Sequence, residues 1–214
     1  QHDPVFHEAL EGAVYVCQSF AMRTILPFLI TFLLASAASA QSNAELAGGE
    51  IFVKTQKVTG FDFPELIVTA VVEAPPAKVY EVVTNCDRFV DRLPRVVEAK
   101  TLARTDTSHK CKVTVGMPFP MSDLTAVTVD RRKQGPDEWY RKWHLDPKTE
   151  PESYDHLVGG FVLKPFAGDP NRTLLIYSVH AIPKTSIPDF LRKTAQKKSM
   201  PNMIKRIRKE VAKL

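Results

Sequence analysis

The sequence predicts an α+β fold in which an antiparallel sheet is covered by one long C-terminal helix. Three observations carry that expectation. Between Arg95 and Ile182, β-branched apolar runs alternate with Gly/Pro/Asn/Asp turn clusters at hairpin distances, the pattern of an antiparallel meander. No βαβ unit repeats in that stretch, which argues against a parallel sheet. From Ser186 to Leu214 the apolar residues instead recur at helical spacing and form one stripe.

The elements follow in order. Glu50 to Val58 alternates as a strand, Thr59-Gly60 turns, and Glu65 to Glu73 is β-branched enough for a second strand or a continuation past a kink at Pro64. Behind Pro75-Pro76, Val79, Val82 and Val83 recur at helical spacing to Asn85, and Cys86 to Leu93 gives a second short helix ended by Pro94. Strands are expected over Arg95–Arg104, Lys110–Gly116, Ser122–Arg132, Glu138–Leu145, Tyr154–Leu163 and Arg172–Ile182. The last helix is expected from an N-cap at Ser186, with a kink near Lys197 to Pro201, where proline removes a backbone donor and crowds the preceding turn.

Composition bounds the function. The 214 residues are 44% hydrophobic and carry a formal net charge of +5, with 12 Phe, 5 Tyr and 2 Trp to build a core. That is a globular composition and excludes a disordered or fibrous chain. Met22-Arg23, the apolar run Ile25 to Leu34 and the small-residue end Ala38-Ser39-Ala40 read as a secretory signal peptide over 22–40, cleaved after Ala40. Residues 1–21 are acidic and contain no Met, so they read as an over-extended start. Residues 41–49 read as a flexible lead-in, and 50–214 as the folded domain. Export to a bacterial periplasm puts Cys86 and Cys111 in an oxidising space. They are free to pair there, while the alternation of Cys111 with Val113 and Val115 equally fits two buried thiols.

Several stretches resemble the START-like helix-grip superfamily, specifically its polyketide cyclase/dehydrase and lipid-transport branch that includes coenzyme-Q-binding proteins. They are VVEAPPAKVYEVVTNCDRFVDRLPRVVEAK (Val71 to Lys100), Gly160-Phe161-Val162-Leu163-Lys164-Pro165, and Ile187-Pro188-Asp189-Phe190 with Met200-Pro201 ahead of Arg208. The resemblance implies a curved sheet wrapped around the C-terminal helix, two short helices after the first strand, and an apolar cavity between sheet and helix for a lipid, sterol, quinone or polyketide.

On the strand Glu138 to Asp146, Trp139, Arg141, Trp143 and Leu145 share one face, expected to point inward. Arg141 then has two readings: the cation that meets an acidic or carbonyl head group, or a guanidinium stacked between the two indoles. The expected ligand-binding set is Trp139, Arg141, Trp143, Phe161, Leu163, Tyr177, Phe190, Met200, Met203 and Ile207. No hydrolase, zinc-protease, phosphate-loop or dinucleotide motif occurs. His109, His144, His156 and His180 stand far apart in sequence, so a metal site would need the strands to assemble it. The expectation is a carrier of a hydrophobic small molecule or lipid with no catalytic residues, cofactor or metal. An aromatase/cyclase using Arg141 and Tyr177 is one alternative, and a membrane-docking protein acting through its basic C-terminal helix is another.

The charge is local. Residues 1–40 hold one Arg against three acids, which leaves 28 basic and 21 acidic residues after cleavage, and residues 187–214 account for nine of those basic and two of those acidic. The excess therefore lies in the last helix and points to an anionic membrane surface rather than to nucleic acid.

Overall fold

The computed structural model describes residues 42–214; the signal peptide read at 22–40 and the over-extended start at 1–21 lie outside the described residues. Residues 42–47 form a short helix, α1, whose Leu46 is buried against Val71 and Phe166, where the sequence suggests only a flexible lead-in. Strands β1 (Ile51–Gln56) and β2 (Glu65–Val72) pair antiparallel, Ile51 opposite Ala70, so Pro64 lies in the connection between two strands. Helix α2 (Pro76–Thr84) starts directly after Pro75, because proline at the first helical position has its φ preset and no N–H to lose. One 3₁₀ turn (Cys86–Arg88) and α3 (Phe89–Arg92) complete the two-helix insertion.

The remaining strands are β3 (Val96–Arg104), β4 (Ser108–Val115), β5 (Leu124–Lys133), β6 (Trp139–Leu145), β7 (Tyr154–Phe166) and β8 (Asp169–Pro183). Every neighbouring pair is antiparallel, and the eight strands stand in the order β1-β2-β8-β7-β6-β5-β4-β3. The predicted meander therefore extends by the N-terminal hairpin, which adds to the β8 edge through β2.

The C-terminal segment departs from one capped rod. Ser186 does not cap it: the chain stays extended through Pro188, and α4 runs only over Asp189–Thr194. A π-helical turn at Ala195–Ser199 then leads into α5 (Met200–Val211). Pro201 cannot donate to the carbonyl one turn back, and a π turn in the segment before it accommodates that loss, so the expected kink takes this form. None of the residues of α4 or the π turn is fully buried, whereas Met203, Ile204, Ile207 and Val211 of α5 are. These four pack with Val79, Val82 and Val83 of α2, Val68 and Val72 of β2, and Leu163 and Leu175 of β7 and β8 in the principal core. Two arginines of α5 serve the fold directly: Arg208 donates to the carbonyls of Val71 and Gly49, and Arg206 to that of Asp91.

Cys86 and Cys111 form a disulfide, with Cα atoms 6.2 Å apart. It joins the 3₁₀ turn to β4 beside buried Phe89, and it resolves the two readings of these cysteines in favour of pairing.

Candidate functional site

The concave face of the sheet is filled at one end and hollow at the other. At the hollow end lies a cavity of about 420 Å³ between the sheet, α3 and the segment from Ile187 to Met203. Its wall is mainly apolar, with Phe89 and Leu93 from α3 and its end, Val113 from β4, Leu124 and Ala126 from β5, Leu157 from β7 and Val179 from β8. Phe89 enters because Cys86, Phe89 and Leu93 recur at helical spacing, a signal present in the sequence and missing from the expected set.

Of the ten residues expected from sequence, Arg141, Trp143, Phe161, Tyr177, Met200 and Met203 line this cavity. The other four do not. Leu163 and Ile207 are completely buried in the solid core, because the strand and the helix that carry them run on past the hollow end. Trp139 lies further along β6, edge-on to Tyr80 at 5.2 Å, where it lines a shallow surface groove with Pro75 and Pro76. Phe190 is 65% exposed on α4 and is not part of the cavity lining.

Trp143 reaches across β7 only because position 159 is glycine. A Cβ there would sit 2.5 Å from the indole Cζ2 and 2.8 Å from the Ser178 carbonyl oxygen. The indole instead packs against Phe161 and Tyr177, with ring centroids 5.7 and 6.1 Å away.

Arg141 is buried between the Phe89 ring and the Trp143 ring, its guanidinium carbon 4.9 and 4.8 Å from their centroids. The guanidinium thus stacks on one of the two expected indoles, with Phe89 in the place expected for Trp139, while remaining part of the cavity lining. Its Nε donates to Asp130 Oδ2 at 2.7 Å and its Nη1 to the Val83 carbonyl at 3.3 Å. Asp130, itself buried on β5, also accepts from Arg132 Nε at 2.8 Å, Arg132 Nη2 at 2.9 Å and the His109 backbone N–H at 3.0 Å. Burial alone would raise its carboxyl pKa, but the hydrogen bonds and charges of Arg132 and Arg141 together hold it below the ordinary range. Nothing in the alternation of β5 singles out Asp130 and Arg132, so this support was not legible from sequence.

Tyr154 is the second residue that the strand pattern conceals. Alternation back from Phe161 through Leu157 puts position 154 on the outer face, but a register shift between Tyr154 and His156 returns it to the inner one. It is 8% exposed and lines the cavity with Tyr177. Burial pushes the Tyr154 phenol up to about 12, and burial together with the neighbouring Tyr154 pushes Tyr177 above its ordinary value, so both remain neutral O–H groups at physiological pH.

On the outer side of β7 and β8 the fold brings His156 and His180 together, ring centroids 4.8 Å apart, with Phe61 packed on both. The third neighbour is thus an aromatic ring, and no cluster of three or more metal-ligating side chains occurs among the described residues. His180 Nε2 is 2.9 Å from the Phe63 carbonyl oxygen, which fixes the β1–β2 connection at the cavity rim, where Phe63 itself forms part of the lining.

The architecture and the hollow sheet–helix junction define a class, and comparison with known proteins agrees. The chain belongs to the polyketide cyclase / dehydrase and lipid transport family, whose model matches residues 72–208. Among solved structures it is similar to a STAR-related lipid transfer protein from Xanthomonas axonopodis, at 22% identity and TM-score 0.66 over 76% of this chain and 93% of that one. It is also similar to human StAR-related lipid transfer protein 5, at 15% identity and TM-score 0.65 over 86% and 96% of the two chains. The Zhui aromatase/cyclase from Streptomyces sp. R1128 aligns at 15% identity and TM-score 0.53 over 70% and 93%. At these identities the likeness establishes the shared fold. Comparison with curated proteins finds no match.

Proposed function

We propose that the protein is an exported, non-catalytic carrier that holds a lipid or similarly apolar molecule in the cavity between the sheet and the C-terminal segment. The observation that carries this reading is the cavity itself: about 420 Å³ walled chiefly by aromatic and aliphatic side chains, with a few polar groups along it. Removing apolar ligand surface from water there supplies affinity at about 25 cal/mol per Å² before the costs of association. The gate is α4 with the π turn. This stretch lies across the cavity without burying a side chain fully, and the π turn before Pro201 supplies a hinge. The Cys86–Cys111 bridge supports an oxidising compartment, in keeping with a bacterial periplasm.

The carrier docks on anionic membranes with the cavity rim facing the lipid. Phe119, at 97% exposed, tips the β4–β5 loop, in which Met117 and Pro118 line the cavity, and exposed Phe190 stands on the opposite bank next to lining residue Leu191. Lys193, Lys197 and Lys198 on the same bank carry no ion pair among the described residues, whereas Arg206 and Arg208 are taken up by backbone carbonyls. These three lysines put positive charge beside the rim, and exposed Lys205 and Lys209, likewise without an ion pair among the described residues, extend it along α5.

Native mass spectrometry of protein purified from its own host tests the carrier reading. A bound apolar molecule of defined mass is expected; a clean apo protein that takes up no lipid, quinone or sterol would refute it. A cyclase-type enzyme is the second reading, favoured by Arg141 and Tyr177 lining the same cavity. Turnover of a polyketide substrate that is lost in Tyr177→Phe would replace the carrier reading with that one.

A further inference from the structure

Two hydroxyls in the cavity wall have no use within the protein. Tyr154 and Tyr177 both line the cavity, Tyr154 more than nine-tenths buried, and neither phenol oxygen has a hydrogen-bond partner among the described residues. Other polar groups nearby are committed. Thr128 donates to the Cys111 carbonyl, and Arg141 is held by Asp130 and Val83. Neither oxygen is sealed in the interior, since the one buried side-chain polar atom without a partner among the described residues is His109 Nδ1, so both hydroxyls stand open to the cavity and to whatever fills it.

We propose that Tyr154 and Tyr177 are specificity-determining donors that bind a hydrogen-bond-accepting oxygen function, a carbonyl or a carboxylate, at one end of an otherwise apolar ligand. This rests on the carrier reading and narrows its ligand class from apolar molecules in general to oxygenated ones. Both phenols stay protonated because burial opposes their ionisation, an effect to which the neighbouring Tyr154 adds at Tyr177. They therefore offer protons over the whole physiological pH range. Arg141 stands in the same wall, stacked on the Trp143 ring that packs against Tyr177, and Arg141 and Arg132 together outnumber Asp130, so net positive charge lies at that end of the cavity and favours electron-rich oxygen there.

The experiment is a displacement titration of the full chain with three probes of matched length, hexadecanoic acid, 2-heptadecanone and heptadecane. It is run on the wild type, on Tyr154→Phe, on Tyr177→Phe and on the double variant, with circular dichroism as the check on folding. Each lost hydroxyl is expected to weaken an oxygenated probe about five- to tenfold and to leave heptadecane unchanged or slightly tighter. Loss confined to the acid identifies a carboxylate head, and loss confined to the ketone an uncharged carbonyl; both support the assignment. Equal effects on all three probes, or none, would overturn it while leaving the carrier reading intact. Failure of every probe to bind the wild type would instead overturn the carrier reading, and this inference with it. The single variants keep the test decisive if the double variant misfolds.

Discussion

The two ends of the concave sheet face are built from the same kind of sequence and end in opposite states. At the solid end α2 and α5 lay Val79, Val82, Val83, Ile204 and Ile207 onto Val68, Leu163 and Leu175, all completely buried. At the hollow end the same strands continue, but the element above them is α4 with its π turn, which places no side chain fully in the interior. A sheet face patterned to be buried does not specify a packed core; what it meets on the other side does. The boundary between the two regions is the Asp130–Arg141 pair. Arg141 reaches the Val83 carbonyl at the end of α2 and stacks on Phe89 and Trp143 of the cavity wall.

That boundary is where the contrast breaks most severely. Asp130→Ala leaves the Arg141 guanidinium buried with a single carbonyl as acceptor, and a cost of about 3–5 kcal/mol in urea-unfolding free energy is expected. A loss below about 1 kcal/mol would show that the pair does not hold the two regions together. Next in size is a direct test of solid against hollow. Ile207→Ala should cost about 2–5 kcal/mol by opening a cavity in a packed core, whereas Met200→Ala, which only widens an existing cavity, should cost less than about 1 kcal/mol. Apolar-probe affinity should respond in the reverse order.

The hollow end, with less packing, relies on its disulfide. The bridge closes a loop with a sequence separation of 25, and Cys86→Ser with Cys111→Ser is expected to lower stability by about 2–4 kcal/mol, measured by thermal unfolding with and without reductant. The smallest effect is a pH dependence. Burial, reinforced by Arg132 at His109 and by His180 at His156, holds both imidazoles below their ordinary value. The unfolded chain then binds protons first as pH falls below about 6.5, so this stability is complete above that pH and declines toward about pH 5. Melting temperature from pH 7.5 to 5 should fall in the wild type and less steeply in His156→Gln; identical slopes would remove His156 from this effect.

Much of the fold was legible because strand alternation, turn chemistry and Pro-initiated helices are local signals. The exceptions have local causes too. Ser186 is a good cap in isolation, but Pro188 favours an extended residue before it and delays the helix to Asp189. Position along an element was the weak point of the site: Leu163 and Ile207 lie on the expected inner face but beyond the hollow end, and Trp139 lies at the far end of β6. Periodicity reports which face a side chain takes and not how far along that face the cavity extends. Tyr154 was hidden by a register shift, which no alternation count reveals, and Asp130 by the absence of any motif linking it to Arg141 and Arg132 across neighbouring strands.

The most direct test of the central claim, that only the hollow end receives ligand, is methyl NMR of the intact protein with bound 2-heptadecanone. Intermolecular contacts are expected to the methyls of Met117, Met200 and Met203, and none to those of Ile204 and Ile207. Contacts to the two isoleucines, or to none of the three methionines, would contradict the account.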